Sequence, residues 1–125
     1  MSRAKKKGTL METRTVDYLQ TVFEDGEKTI HRVALHGSKD EGDIHGLSFR
    51  GMKIIAEVKN CKSYAPKEWL RQAERERGNA DADISIVVFH INGIGLESLE
   101  SMGEQGVLIK LRDLCKLMGG RVVED

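Results

Sequence analysis

Residues 42–59 read Gly42-Asp43-Ile44-His45-Gly46-Leu47-Ser48-Phe49-Arg50-Gly51-Met52-Lys53-Ile54-Ile55-Ala56-Glu57-Val58-Lys59. The stretch divides into two short strands, 43–49 and 53–59, with Arg50-Gly51 at the tip of a hairpin. Side chains two apart on a strand share a face. Glu57 and Lys59 therefore point one way, and Ile54, Ala56 and Val58 point the other way into a core. A hairpin turning at 50–51 leaves Asp43 near residues 57–59 at its open end. One aspartate, one glutamate and one lysine thus share a patch at the edge of a small sheet.

Outward from the hairpin, residues 9–24 carry Val16, Leu19 and Phe23 at helical spacing, and Asp25-Gly26 ends that helix. Thr9 with Glu12 three residues on has the capping-box pattern at its start. A strand over 29–35 precedes a polar loop at 36–42. Pro66 opens a helix over 66–77, since proline favours the first turn, and Gly78-Asn79 stops it. Residues 84–91 are the most apolar run and read as a buried strand. A glycine-rich stretch leads to a strand near 107–110 and a helix near 111–118. The order α-β-β-β-α-β-β-α specifies a single α/β domain over 9–125, its central mixed sheet flanked by helices, behind a basic arm at 1–8.

Twenty basic residues balance twenty acidic ones, so net charge alone offers no case for a polyanionic partner. Its distribution is more informative. Arg3, Lys5, Lys6 and Lys7 open the chain without an acid, whereas six acids and four bases follow from Glu97 onward. One polyanion-facing side fits this pattern, and so does an ordinary solvated surface with a basic tail. No apolar run approaches the roughly 20 residues of a membrane span, and the basic start lacks the apolar segment of a signal peptide. Cys61 and Cys115 have no metal-ligand spacing, which fits free thiols in a reducing, cytoplasmic setting.

Asp43 and Glu57, with the main-chain carbonyl of Val58 between them, make an oxygen set suited to a hard divalent cation. Such a cation neutralises a phosphate and acidifies a bound water, and the Lys59 ammonium beside it offsets transition-state charge. A charged solvent face on an alternating strand is the competing reading, because Glu-x-Lys tripeptides are common. Glu12 adds a second signal. It lies four, seven and eleven residues before Val16, Leu19 and Phe23, in line with the apolar stripe. Burying an unpaired carboxylate is costly, so Glu12 belongs at the rim of that face near a cation or donor, unless the capping box satisfies it locally. His45 shares the strand face of Asp43 and fits a structural role beside the site. Asp40 and Glu41 are rival choices for the aspartate; Asp43 is preferred because it begins the alternating strand. Lys62, Lys67, Arg71 and Arg75 form either a phosphate-binding surface or, with Glu68, Glu74 and Glu76 interleaved, a salt-bridged helix.

Lys7-Gly8-x-x-x-Glu12 opening a helix, Gly37-Ser38 in a polar loop, Gly42-Asp43 and Glu57-Val58-Lys59 together resemble the archaeal Holliday junction resolvases and their phage relatives, within the PD-(D/E)xK or restriction-endonuclease-like superfamily. The likeness covers about residues 5–75 by motif and the remainder by element order. It implies a restriction-endonuclease-like core and a Mg²⁺- or Mn²⁺-dependent endodeoxyribonuclease that cuts four-way DNA junctions as a homodimer. Glu12, Asp43, Glu57 and Lys59 would be its catalytic residues, with the three acids and the Val58 carbonyl around the metal. Lys5, Lys6, Lys7, Gly8, Ser38, Lys62 and Gln72 would meet DNA. Gly42 stands where the motif's name has proline, and residues 93–106 match nothing in the pattern. The phage likeness suggests a viral origin and hence the host-cell cytoplasm. Three rivals remain: another small nuclease of this fold, of restriction, repair or flap type; a non-catalytic DNA-binding module; and a protein-interaction domain whose resemblance is accidental.

Overall fold

A computed structural model describes residues 2–34 and 39–124. The elements are α1 (Arg3–Val22), α2 (Gly26–Thr29), β1 (His31–Arg32), β2 (Ile44–Phe49), β3 (Met52–Lys59), α3 (Pro66–Ala80), β4 (Ile84–Phe89), α4 (Leu99–Gly103), β5 (Gly106–Leu108) and α5 (Leu111–Leu117). This is the expected order with two short helices added. The five strands form one sheet in the order β1-β2-β3-β4-β5. Pairing is antiparallel except between β3 and β4, which run parallel with Glu57 opposite Val87. Helix α3 makes the crossover that a parallel pair requires.

The hairpin turns where expected. Phe49 pairs with Met52, and Arg50 and Gly51 between them have φ of 52° and 79°. Positive φ at both central residues belongs to the turn whose twist matches that of the flanking strands. Between Ile44 and Leu47 the β2–β3 register shifts, and Gly46 there has φ of +99°.

Strand β3 is buried on both faces. Ala56 and Val58 join Met11 and Val16 of α1, Ile44, Val88 and Met102 in one apolar cluster. On the opposite face Ile55 packs with Ala80 and Ala82, and Val87 packs with Trp69 and Ala73 of α3. Glu57 and Lys59 lie on this second face, which α3 covers. They are not a solvent face.

Several boundaries differ from the expectations, each for a physical reason. Helix α1 starts at Arg3, with Ser2 as its N-cap, the Ser2 hydroxyl accepting from the Lys5 amide at 3.1 Å. Residues 3–8 are thus the helix's first turns and not a separate arm. Alanine and three lysines are strong helix formers, and one Gly8 costs only about 1 kcal/mol. Thr9 is therefore no cap; its carbonyl accepts from the Thr13 hydroxyl. The buried stripe runs through Met11, Thr15 and Val16, and Phe23 at its end is half exposed. Of the strand expected over 29–35, the described residues form only His31–Arg32, because α2 takes 26–29 and Ile30 enters the core; Leu35 lies outside the described residues. Helix α3 runs past Gly78-Asn79 to Ala80, whose methyl packs on Ile55, and ends at left-handed Asp81. Trp69 is buried against Phe89 and Tyr64. The strands expected at 84–91 and 107–110 are shorter, and α4 arises within the unmatched stretch through a Ser98–Ser101 capping box.

A methyl group at Gly46 would lie 1.8 Å from the Thr29 carbonyl oxygen, so the end of α2 seats directly on the β2 bulge. Gly46→Ala therefore combines left-handed strain with a backbone clash, and a loss of about 3 kcal/mol is expected, read as a lower urea midpoint. A midpoint equal to wild type would show that α2 does not hold this position.

Candidate active site

Glu57 is 3% exposed at the carboxyl end of β3. Its Oε2 accepts a hydrogen bond from Gln72 Nε2 and lies 3.5 Å from the Lys59 ammonium. Its Oε1 is buried without a partner. Gln72 comes from α3, one layer above. Its Nε2 also donates to Glu76 Oε1 at 3.0 Å, and its Oε1 accepts from Lys59 Nζ at 2.7 Å. This fixes the amide's orientation, with nitrogen toward the two carboxylates and oxygen toward the ammonium.

Asp43 is locked at the open end of the hairpin. Its amide donates to the Ala56 carbonyl at 2.9 Å, and its Oδ2 accepts from the Val58 amide at 2.8 Å. Asp43 thus stands beside Glu57, as the hairpin geometry required. Glu12 lies on the flank, its side chain 19% exposed, with Oε1 3.4 Å from Arg32 Nε. It sits at the rim beside a cation, and Arg32 supplies the pairing in place of a capping box.

A second acidic group extends the site. One carboxylate oxygen each from Asp40, Glu57 and Glu76 lies within 4.8 Å of the others. Glu76 is 1% exposed, and its Oε2 has no partner. Asp40 Oδ1 accepts from the Gly42 amide at 2.9 Å, and Asn79 of α3 donates to the Asp40 carbonyl at 2.9 Å, tying this loop to the helix. Asp43 and Glu12 are not in this triple.

The electrostatics follow from burial and crowding. Desolvation, then the adjoining Asp43 carboxyl, then Glu76, push Glu57 far above the usual carboxylate range. Desolvation also raises Glu76, with Asp40 and Asp43 adding to it and the adjoining Glu57 carboxyl and the Gln72 amide opposing it. Glu12 is raised by desolvation and then by Asp43, against the pull of Arg32. Buried carboxylates crowded this way favour either protons or cations. The donor set fits a hard divalent cation: all oxygen, with two buried oxygens that lack any other partner.

The remaining expected residues are placed unevenly. Lys5 and Lys6 are exposed on the first turns of α1, while the Lys7 carbonyl accepts from Asn60 Nδ2 at 3.3 Å. Asn60 follows Lys59 directly, so the basic turn is moored to the end of β3. A side chain at Gly8 would meet open space. Lys62 is exposed, its carbonyl held by Asn92. Gln72, expected at the DNA, has its amide engaged by three side chains of the site. Ser38 lies outside the described residues, as do His36 and Gly37. His45 Nε2 is 2.6 Å from the Glu41 carbonyl, in keeping with a structural role. Along α3, Arg77 pairs with Glu74 at 2.8 Å and Arg75 with Glu68 at 3.9 Å, so part of that helix is salt-bridged.

Glu76 was missed, although the sequence carried its signal. Trp69, Ala73, Glu76 and Ala80 stand at offsets of four, seven and eleven, the same on-stripe placement that singled out Glu12. The surrounding charges masked it. Compared with family models, curated proteins and solved structures, the chain matches none. Among the described residues, no helix is long and apolar enough to cross a membrane.

The raised Glu76 carboxyl makes metal-free stability depend on pH with a definite sign. Below the ordinary carboxylate value of 4.5 it is protonated both folded and unfolded, and contributes no dependence. Above that, the unfolded chain releases the proton first, so stability falls as pH rises toward and through the folded value. Glu76→Gln keeps an oxygen for the Gln72 amide and removes the charge. In EDTA it should raise the melting temperature near pH 8, by roughly 1 kcal/mol or more of stability, and leave it nearly unchanged near pH 4. An equal shift at both pH values would show that Glu76 is not under this strain.

Proposed function

We propose that this protein is a metal-dependent endodeoxyribonuclease of the PD-(D/E)xK type, acting on branched DNA with the four-way junction as its substrate. The observation that carries the reading is Glu57: a buried carboxylate on a central strand, with one oxygen unpartnered, Lys59 two residues on, and Asp43 docked beside it. Leaving such a group in a core costs several kcal/mol unless a cation or donor meets it. A purely structural role would be met more cheaply by an apolar side chain, as at Ile55 on the same face. The α/β core, with its mixed sheet between α1 and α3, is compatible with a restriction-endonuclease-like fold.

Asp43 and Glu57, with the Val58 carbonyl, would hold Mg²⁺ or Mn²⁺, which supplies charge neutralisation at the phosphate and a more acidic water. The chain's own groups do the rest. Lys59, oriented by the Gln72 oxygen, donates to the attacking water or to a non-bridging phosphate oxygen as negative charge grows. Water adds to phosphorus in line as the bond to the 3′ oxygen breaks; the water's proton passes to solvent and the 3′ oxygen takes one up from solvent, leaving a 5′ phosphate and a 3′ hydroxyl. Glu12, paired with Arg32, closes the flank. Lys5 and Lys6 on the first turns of α1 contact the DNA backbone. Resolution of a four-way junction needs two opposed cuts, hence two copies of this chain.

The test is cleavage of a labelled immobile four-way junction with Mg²⁺ or Mn²⁺, beside linear duplex, single strand and a flap. Paired nicks confined to the junction are expected. Asp43→Asn should abolish them while binding persists, and Lys59→Ala should slow them by about 10²-fold or more. Equal cleavage of linear DNA would keep the nuclease and remove the junction preference. No cleavage of any substrate with either metal would overturn the proposal.

A further inference from the structure

Five carboxylates crowd the end of β3: Glu12, Asp40, Asp43, Glu57 and Glu76. Asp40, Glu57 and Glu76 have oxygens within 4.8 Å of one another, Asp43 accepts from the Val58 amide beside Glu57, and Glu12 pairs with Arg32 at the rim. Among the described residues, two cations face them, Lys59 against Glu57 and Arg32 against Glu12. With all five ionised the site carries three uncompensated negative charges. One divalent ion leaves one, and a bound phosphodiester restores a second. A second divalent ion brings the occupied site to neutrality.

The geometry divides the ligands in the same way. Asp43 is turned to the Val58 amide and stands outside the triple in which Asp40, Glu57 and Glu76 offer oxygens within 4.8 Å of one another. The two oxygens left without any partner, Glu57 Oε1 and Glu76 Oε2, belong to side chains 3% and 1% exposed. Their other oxygens are already occupied by the Gln72 amide, which leaves the free pair for a ligand. A strand, a helix and a loop tied to that helix by Asn79 each supply one carboxylate.

We propose that Asp40, Glu57 and Glu76 form a second divalent-cation position, separate from the Asp43–Glu57 set and joined to it through Glu57. The donors are all carboxylate oxygens, which selects Mg²⁺ or Mn²⁺ over metals that prefer nitrogen or sulfur. Occupancy fastens the Asp40 loop to α3 and so shapes the mouth of the site. The first position rests on the nuclease reading above; the second is tested by binding alone.

The experiment is titration of the intact protein with Mn²⁺, counting bound ions by calorimetry and by the electron paramagnetic resonance of free Mn²⁺, with circular dichroism to verify folding. Wild type should bind two ions. Glu76→Gln should bind one, Asp40→Asn should lose or weaken the same ion, and Asp43→Asn should keep that ion and lose the other. Two ions in both wild type and Glu76→Gln would overturn the second position. So would a single ion that Glu76→Gln retains and Asp43→Asn loses, an outcome that leaves the nuclease reading standing. A single ion lost in both variants would overturn it in favour of one shared centre. No bound ion in wild type would overturn both readings.

Discussion

Gln72 donates from one amide nitrogen to Glu57 and Glu76 and accepts the Lys59 ammonium on its oxygen. Two carboxylates facing each other between a sheet and a helix repel, and in a medium of low dielectric the repulsion is large. A neutral amide with two hydrogens and one acceptor can hold both acids and the lysine together without adding charge. Hydrogen bonds to charged groups are worth about 1.5–3 kcal/mol each, and more is at stake when one partner is removed from a buried set. Apolar contacts close on either side of this polar knot, Ile55 with Ala80 below and Val87 with Trp69 and Ala73 beside it. The helix can cover Glu57 only because Gln72 sits at the right turn to receive it.

The two faces of β3 therefore do different work. Toward α1 the strand presents Ala56 and Val58 to a continuous apolar cluster, and that face anchors the domain. Toward α3 it presents Ile55, then Glu57, then Lys59, so polarity rises toward the strand's carboxyl end. Ligand sites in open α/β sheets gather at the carboxyl ends of parallel strands, and among the described residues β3 and β4 are the one parallel pair. The hairpin brings Asp43 to the same end from β2's side, and the loop before it delivers Asp40. Fold and site thus share one cause: a crossover helix laid over the polar half of a central strand.

Local pattern identified much of this correctly. The alternation of 53–59, the Arg50-Gly51 turn and the open-end placement of Asp43 are nearest-neighbour properties of a hairpin, and they hold. Glu12 on an apolar stripe calls for a cation, a donor or a local capping box, and it meets Arg32; the sequence does not say which, because Arg32 is twenty residues away. The start of α1 was misplaced because a capping-box pattern at Thr9 and Glu12 outweighed an unbroken run of helix formers behind Ser2. Glu76 was overlooked because basic neighbours made its helix read as a solvated surface, although its own position lay on the buried stripe. Asp40 and Asp43 look like rivals in the sequence, whereas the two stand on different parts of one acidic patch.

By itself the sequence determined the element order, the hairpin and the side-by-side placement of Asp43, Glu57 and Lys59. Periodicity and turn chemistry act over a few residues, and the pattern is complete within residues 42–59. Only the tertiary structure decided that the charged face of β3 is covered. That depends on α3, whose first residue comes seven positions after the strand ends and whose covering stripe is set by where Trp69 and Ala73 find Val87. Alternation tells two faces of a strand apart, but it carries no information about which face a distant helix will bury. Burial converts Glu57 and Glu76 from ordinary acids into strained ones with free oxygens, in a cluster that could hold a metal ion.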